Sequence, residues 1–189
     1  MRIFGKSNPS FIGIYDNVLT QKDCDLIISN FEKDPKKDVG CVAGGYYPER
    51  KQCLQLMGDL GDNSIGSRIL FPVLCECVDK YHKEYPSLSD TDKWGICGHY
   101  NIQKYETEYD GFKVWHFESG SKSPSNKRVM AWMFYLNNAK SGTDFMYYPS
   151  IKAKRGRCVI WPAGFTHCHK GTPNKGLKYI ATGWVSYFE

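Results

Sequence analysis

"KYIATGWVSY", residues Lys178–Tyr187, decides how the chain folds. Side chains alternate along a strand, so Lys178, Ile180, Thr182, Trp184 and Ser186 share one face, and Tyr179, Ala181, Gly183, Val185 and Tyr187 share the other. Both faces are largely apolar, the composition of a strand covered on both sides. Such a strand needs one layer above it and another below. Lys178 would be buried with it, and a buried ammonium costs several kcal/mol unless paired. No acidic residue lies nearby in the sequence, so a bound carboxylate is one solution; a lysine left in solvent at the strand start is the other.

Upstream lies the loop "GFTHCHKGTPNKG" (164–176), which carries two of the five histidines, His167 and His169. Before it come strand-like runs at 95–105, 112–117, 128–136, 144–147 and 158–161, punctuated by Gly, Pro, Asn and Ser clusters. These short strands follow two helical stretches. The pattern predicts a mostly β chain with flanking helices (α+β), its core a double-stranded β-helix, or jelly roll. Residues 11–19 alternate as a strand, and Thr20 then caps a helix reaching about Phe31, with Asp23 completing a capping box. Leu26, Ile27 and Phe31 mark its expected buried stripe. Residues 51–57 alternate again. A second helix over 64–85 spaces Leu70, Leu74, Cys77 and Tyr81 on one side, and Pro72 predicts a kink or a later start. A single domain over 1–189 is expected, with 1–92 as helical support and outer strands and 93–189 as the jelly-roll core.

Composition agrees with an ordinary globular chain: 41% hydrophobic, 24% charged and, tilting toward β-structure, 15% aromatic. The net charge of +5 suits an anionic ligand, but the basic residues are scattered, which speaks against a nucleic-acid partner. The start, "MRIFGKSNPS", has no apolar run of leader length, and no stretch approaches the roughly 20 apolar residues of a membrane span. The expectation is a cytoplasmic protein with no membrane contact, whose eight cysteines are reduced and mostly buried. A zinc site from Cys158, Cys168 and a histidine is conceivable but lacks closely spaced ligand pairs.

The chemistry concentrates in "VWHFES" (114–119). On a strand, His116 and Glu118 would face one way, roughly 6–7 Å apart at their bases, with Trp115 and Phe117 turned into a hydrophobic layer. On a solvent face the same pair would carry no function. A third ligand changes the reading, because two imidazoles and one carboxylate on one face of an octahedral metal leave three positions open, as in non-haem Fe(II) oxygenases. Either His167 or His169 could supply the second imidazole.

From about Tyr100 to Trp184 the chain resembles the Fe(II)/2-oxoglutarate-dependent dioxygenases of the prolyl 4-hydroxylase-like branch. "YNIQKY", "WHFE", "RVMAWMFYLN", "SGTDF", "GRCVIWP" and "HKGTPNKGLKYIATGW" stand in the family's order. The spacing to Pro173, Gly176, Lys178 and Trp184 selects His169 over His167 as the family's ligand. The resemblance implies His116, Glu118 and His169 on Fe(II), and Lys178 with the Tyr105 hydroxyl on the distal carboxylate of 2-oxoglutarate. It also implies O2 as oxidant and ascorbate as the agent that rescues oxidised iron. The implied reaction hydroxylates an unactivated C–H bond, on a peptidyl proline or alternatively on a free amino acid or small metabolite; a non-catalytic metal-binding jelly-roll module is a further alternative. Two features depart from the family: Glu118 stands where Asp is usual, and "SGTDF" replaces a double glycine, leaving Gly142 to make the turn. The arginine clamp of the nucleic-acid demethylase branch is missing, since no arginine follows Arg157. Arg128 reads as a surface residue, Tyr135 as either pocket or packing, and Trp184 as a pocket wall or plain core. Residues 35–50, 105–113 and 119–127 read as loops over the substrate, with the tyrosines of "AGGYYPERK" suited to stack on a proline-rich chain.

Overall fold

The computed structural model describes residues 9–42 and 45–188; the first eight residues of the opening stretch, the first two of "AGGYYPERK" and residue 189 lie outside the described residues. The elements in chain order are β1 (Gly13–Tyr15), α1 (Gln21–Lys33), β2 (Asp38–Val39), β3 (Lys51–Gln52), β4 (Leu54–Asp59), α2 (Ile65–Glu84), β5 (Trp94–Tyr105), β6 (Gly111–Phe112), β7 (Arg128–Tyr135), β8 (Gly142–Phe145), β9 (Ile151–Lys152), β10 (Arg157–Pro162), β11 (His169–Gly171) and β12 (Lys178–Tyr187). Seven strands form one antiparallel sheet in the order β1-β10-β7-β12-β5-β4-β2. A three-stranded sheet, β11-β8-β9, and the pair β3-β6 lie opposite it. This is the expected jelly-roll core, and β12 runs through the middle of the large sheet between β7 and β5.

Strand alternation sorts the large sheet into two faces. Met130, Trp132 and Phe134 of β7, Cys158 and Ile160 of β10, Tyr179, Ala181 and Val185 of β12, and Tyr100 and Ile102 of β5 join one buried apolar cluster with the helices. Their neighbours Ala131, Met133, Tyr135, Val159, Trp161, Ile180 and Tyr105 join a second cluster with Phe145 and Ile151 of the small sheet. A one-residue slip would exchange the two sets, so burial fixes the register Lys178↔Tyr105, Ile180↔Gln103 and Thr182↔Asn101 between β12 and β5.

The helices cover the first face. Thr20 caps α1, accepting from the Asp23 amide while Asp23 Oδ2 accepts from the Thr20 amide, the reciprocal box expected from sequence. Its buried residues are Cys24, Ile27 and Phe31. Leu26 is 44% exposed, against expectation; it lies off the i, i+3, i+7 stripe that the other three define. In α2 the predicted Leu70, Leu74, Cys77 and Tyr81 are all buried. The helix starts at Ile65, capped by Ser64, and continues through Pro72. Pro72 lies on the exposed side, where water can satisfy the carbonyl its missing N–H leaves free.

Other boundaries moved for local reasons. Only residues 13–15 of the predicted 11–19 strand pair with β10; Asn17, at φ 57°, turns the chain away. The 51–57 run splits at Cys53, its first part joining β6 and its second the large sheet. Gly142 begins β8 two residues earlier than expected, and a Cβ there would meet the Ile151 carbonyl oxygen at 2.0 Å. Cys24, Cys53, Cys77 and Cys158 are buried, whereas Cys41 is exposed and three others half-buried. Among the described residues no helix is long and apolar enough to cross a membrane.

Candidate active site

The second face of the large sheet and the small sheets enclose a cavity of about 440 Å³, within the range of roughly 300–1,000 Å³ typical of small-molecule sites. His116, Glu118 and His169 meet on its wall. Their potential ligand atoms all lie within 4.8 Å of one another, the one such His/Cys/Asp/Glu group among the described residues. Glu118 Oε1 is 3.4 Å from His169 Nε2 and 3.7 Å from His116 Nε2.

The backbone sets this convergence. His116 does not lie on a strand as the sequence suggested: β6 ends at Phe112, and His116 instead forms an isolated bridge with His169. Each of the two residues donates its amide to the other's carbonyl, at 2.9 and 2.8 Å. Glu118 and Ser119 then donate to the Ala163 carbonyl beyond β10. Trp115 and Phe117 are therefore not in a hydrophobic layer; they are 42% and 46% exposed, and Trp115 lies under the Lys170 ammonium. With no sheet on its outer side, this segment has no second layer to bury them.

Both imidazoles are oriented for metal binding. His116 Nδ1 lies 3.1 Å from the Val114 carbonyl and His169 Nδ1 2.8 Å from the His167 carbonyl. A carbonyl can only accept, so each Nδ1 carries the proton and each Nε2 presents its lone pair to the cavity. Phe112 stacks on the His116 ring at 3.5 Å, and Trp161 meets the His169 ring edge-on at 5.0 Å. Burial depresses the His116 pKa. Burial alone would raise that of Glu118, but the two imidazoles beside it, when protonated, draw it well below the usual carboxylate range.

Glu118 has its second oxygen engaged elsewhere. Trp184 Nε1 donates to Oε2 at 2.7 Å, and Arg128 Nη1 donates to the same oxygen at 3.3 Å and to the Glu118 carbonyl at 3.0 Å. The Arg128 guanidinium also stacks on the Trp184 ring at 3.7 Å. The extra methylene of glutamate is thus taken up by a clamp that leaves only Oε1 facing the histidines. Arg128, expected at the surface, is the correction here: stacking and two acceptors offset the burial of its charge.

His167 is separate. Its ring stacks on Tyr148 at 5.0 Å, and its two nitrogens lie 2.9 Å from the Thr166 hydroxyl and 2.9 Å from the Ser10 carbonyl. Cys158 lies against Cys77, not Cys168, so the conceivable zinc site does not assemble.

At the inner end of the cavity Lys178 is 3% exposed. It makes no ion pair among the described residues, and its Nζ has one long hydrogen bond, 3.4 Å to the Gly142 carbonyl, with the Tyr105 ring 4.8 Å away. Burial pulls its pKa down to about 8, against a smaller upward pull from Asp144. The Tyr105 hydroxyl donates to Gln103 Oε1 at 2.6 Å, and the Tyr135 hydroxyl pairs with Thr143 Oγ1 at 2.6 Å. Tyr135, Trp184 and Phe117 all line the cavity. Gln103, Thr143 and Lys51 line it too and were missed by the sequence reading; for Gln103 the inward parity of "YNIQKY" would have found it. The donor set fits a dicarboxylate beside a metal: an ammonium lacking a counter-ion among the described residues stands at one end and three converging ligand atoms at the other.

Residues 99–186 match the family model of the 2OG-Fe(II) oxygenase superfamily. That span is just under half of the chain, and the likeness of fold extends over nearly all of it. A viral collagen prolyl hydroxylase from Paramecium bursaria Chlorella virus-1, solved with 2OG, is 18% identical with a TM-score of 0.64, covering 94% of this chain and 97% of its own. A Trichoplax adhaerens prolyl hydroxylase in complex with a hypoxia-inducible-factor peptide fragment is 15% identical with a TM-score of 0.69, covering 94% and 84%. A Pseudomonas putida prolyl-4-hydroxylase is 11% identical with a TM-score of 0.70, covering 93% and 92%. At these identities the likeness is one of fold. No curated protein matches the chain in a sequence comparison.

Proposed function

We propose that the chain is an Fe(II)- and 2-oxoglutarate-dependent hydroxylase of the prolyl hydroxylase type. His116, Glu118 and His169 would hold the ferrous ion, and Lys178 the distal carboxylate of 2-oxoglutarate. One observation carries the reading: three ligand atoms within 4.8 Å of one another share a cavity with a buried ammonium that has no carboxylate partner among the described residues. Bound iron would couple the oxidation of a C–H bond to that of the co-substrate: one atom of O2 enters the hydroxyl group, the other enters succinate, and CO2 leaves. The Val114 and His167 carbonyls keep the imidazoles in the tautomer that can bind metal. Arg128 and Trp184 hold Glu118 so that one oxygen alone is available. Lys178, fixed over the Tyr105 ring, sets how deep a dicarboxylate sits, and the Tyr105 hydroxyl can join it by turning from Gln103.

Peptidyl proline is the substrate this reading favours, because the structural neighbours include prolyl hydroxylases and one of them carries a bound peptide. Ascorbate would serve to return oxidised iron to the ferrous state. The test is succinate release with Fe(II) and 2-oxoglutarate, screened against proline-containing peptides and free amino acids. His116→Ala, Glu118→Ala and His169→Ala should each abolish it and weaken metal binding measured by calorimetry, whereas His167→Ala should retain much of it. Full activity in His169→Ala with loss in His167→Ala would overturn the ligand assignment.

A further inference from the structure

The cavity wall carries five lysine and arginine side chains, Arg50, Lys51, Arg128, Lys170 and Lys178, against one carboxylate, Glu118. A ferrous ion and a 2-oxoglutarate dianion would cancel each other, so this excess of positive charge is left for something else. Arg128 is engaged by Glu118 and Trp184, and Lys170 lies over Trp115. Lys51 differs from both. It is 6% exposed and makes no ion pair among the described residues. Two of its three N–H groups are satisfied by neutral acceptors, the Cys41 carbonyl at 3.1 Å and Gln55 Oε1 at 3.0 Å.

Its place in the fold separates it from Lys178. Gln55, which holds it, lies opposite Gln103 in the β4–β5 pairing, whereas Lys178 lies opposite Tyr105 in the β5–β12 pairing. The two buried ammonium groups therefore approach one cavity from different strands, with Gln103 and Tyr105 between them. A 2-oxoglutarate whose distal carboxylate is taken by Lys178 and whose other end chelates the metal has no further carboxylate to give Lys51. The energetic argument already made for Lys178 applies equally to Lys51: an ammonium withdrawn from water needs an anion or a full set of acceptors, and among the described residues one donor lacks an acceptor.

We propose that Lys51 is a specificity-determining residue that receives a carboxylate of the substrate while Lys178 receives that of the co-substrate. The inference rests on the hydroxylase reading and narrows its substrate to one bearing a carboxylate near the oxidised C–H bond. That carboxylate is either the main-chain carboxylate of a free amino acid or an acidic side chain beside a peptidyl proline.

Two probe pairs separate these sources: L-proline against L-prolinamide, and capped Pro-Glu against capped Pro-Gln dipeptides. Binding is read by calorimetry on the full chain loaded with Mn(II) and 2-oxoglutarate under argon, and turnover by substrate-stimulated succinate release with Fe(II). The expected result is that one acidic probe exceeds its neutral partner by at least about tenfold. The L-proline arm would identify a free acid and the Pro-Glu arm an acidic peptide. Lys51→Met should bring that preference to within about twofold with 2-oxoglutarate affinity unchanged, and Lys51→Arg should restore part of it. If Lys51→Met does not fold, the wild-type preference and its decline with added salt decide the matter alone. Equal behaviour of acidic and neutral probes, including no binding by either, overturns the proposal, as does a preference that survives in Lys51→Met; Lys51 would then only tie the Cys41 loop to β4. Failure of the wild type to bind 2-oxoglutarate would count against the triad and Lys178 instead, and calorimetry detects it separately.

Discussion

The large sheet presents two faces built from the same strands, and they differ in what they tolerate. On the helix face, Trp132, Phe134, Ile160 and Ala181 are fully buried in the cluster shared with the helices. On the opposite face, one residue along in each strand, Gln103, Lys178 and Thr182 line a cavity that the small sheets leave open. The helix face can be built from any side chains that fill its volume. The cavity face carries polar groups that need partners: Gln103 and Thr182 find theirs within the fold, whereas the Lys178 ammonium has one long bond to the Gly142 carbonyl. Stability and function are thereby separated by parity, residue by residue, along single strands.

That separation can be broken by paired substitutions. On the helix face, Trp132→Ala should remove about 3–5 kcal/mol of stability, read by denaturant unfolding, while residual folded protein still binds 2-oxoglutarate. A comparable loss of 2-oxoglutarate binding in the folded fraction would show that the faces are coupled. On the cavity face, Lys178→Met should raise the 2-oxoglutarate requirement at least about a hundredfold and leave the unfolding midpoint equal or higher, since it removes an unpaired buried charge.

The pH dependence sharpens the same contrast. With burial holding the Lys178 pKa at about 8, below its usual 10.5, 2-oxoglutarate affinity should be level below pH 8 and fall up to about tenfold per pH unit above it. The sign for stability is opposite. Between about 8 and 10.5 the unfolded chain holds a proton on this lysine that the folded, ligand-free chain has released, so the Lys178 contribution to stability improves as pH rises through that window. Binding titrations at pH 7, 8 and 9 would show this, and an affinity unchanged at pH 9 would remove Lys178 as the anchor. The smallest expected effect is at the cap of α1, where Thr20→Ala should cost about 1 kcal/mol without altering any cavity property.

Much of the architecture was legible because it depends on local period and parity. The residues that share a face in "KYIATGWVSY" do so in the fold, the cap at Thr20 is where the sequence put it, and the second helix starts next to the expected Ser64. The convergence of His116, Glu118 and His169 was legible too, though on the wrong premise: their meeting depends on a long-range bridge between the segment after β6 and the first residue of β11 rather than on strand alternation within 114–119. Arg128 was misread because a charge next to a strand is ordinarily solvated, and nothing in "KRVMAW" announces a tryptophan 56 positions later on which it stacks. Lys51 was hidden for a related reason. Its burial comes from the Cys41 segment folding across it, a tertiary event with no local pattern.

The reciprocal amide–carbonyl pair between His116 and His169 has a consequence for how iron would be loaded. Two main-chain bonds tie the His116 segment to β11, so on the proposed reading the cradle would not depend on the ion alone for its shape. Metal capture then requires little reordering of the chain, and stripping the ion with a chelator should leave a folded apoprotein whose amide spectrum changes only around the cavity.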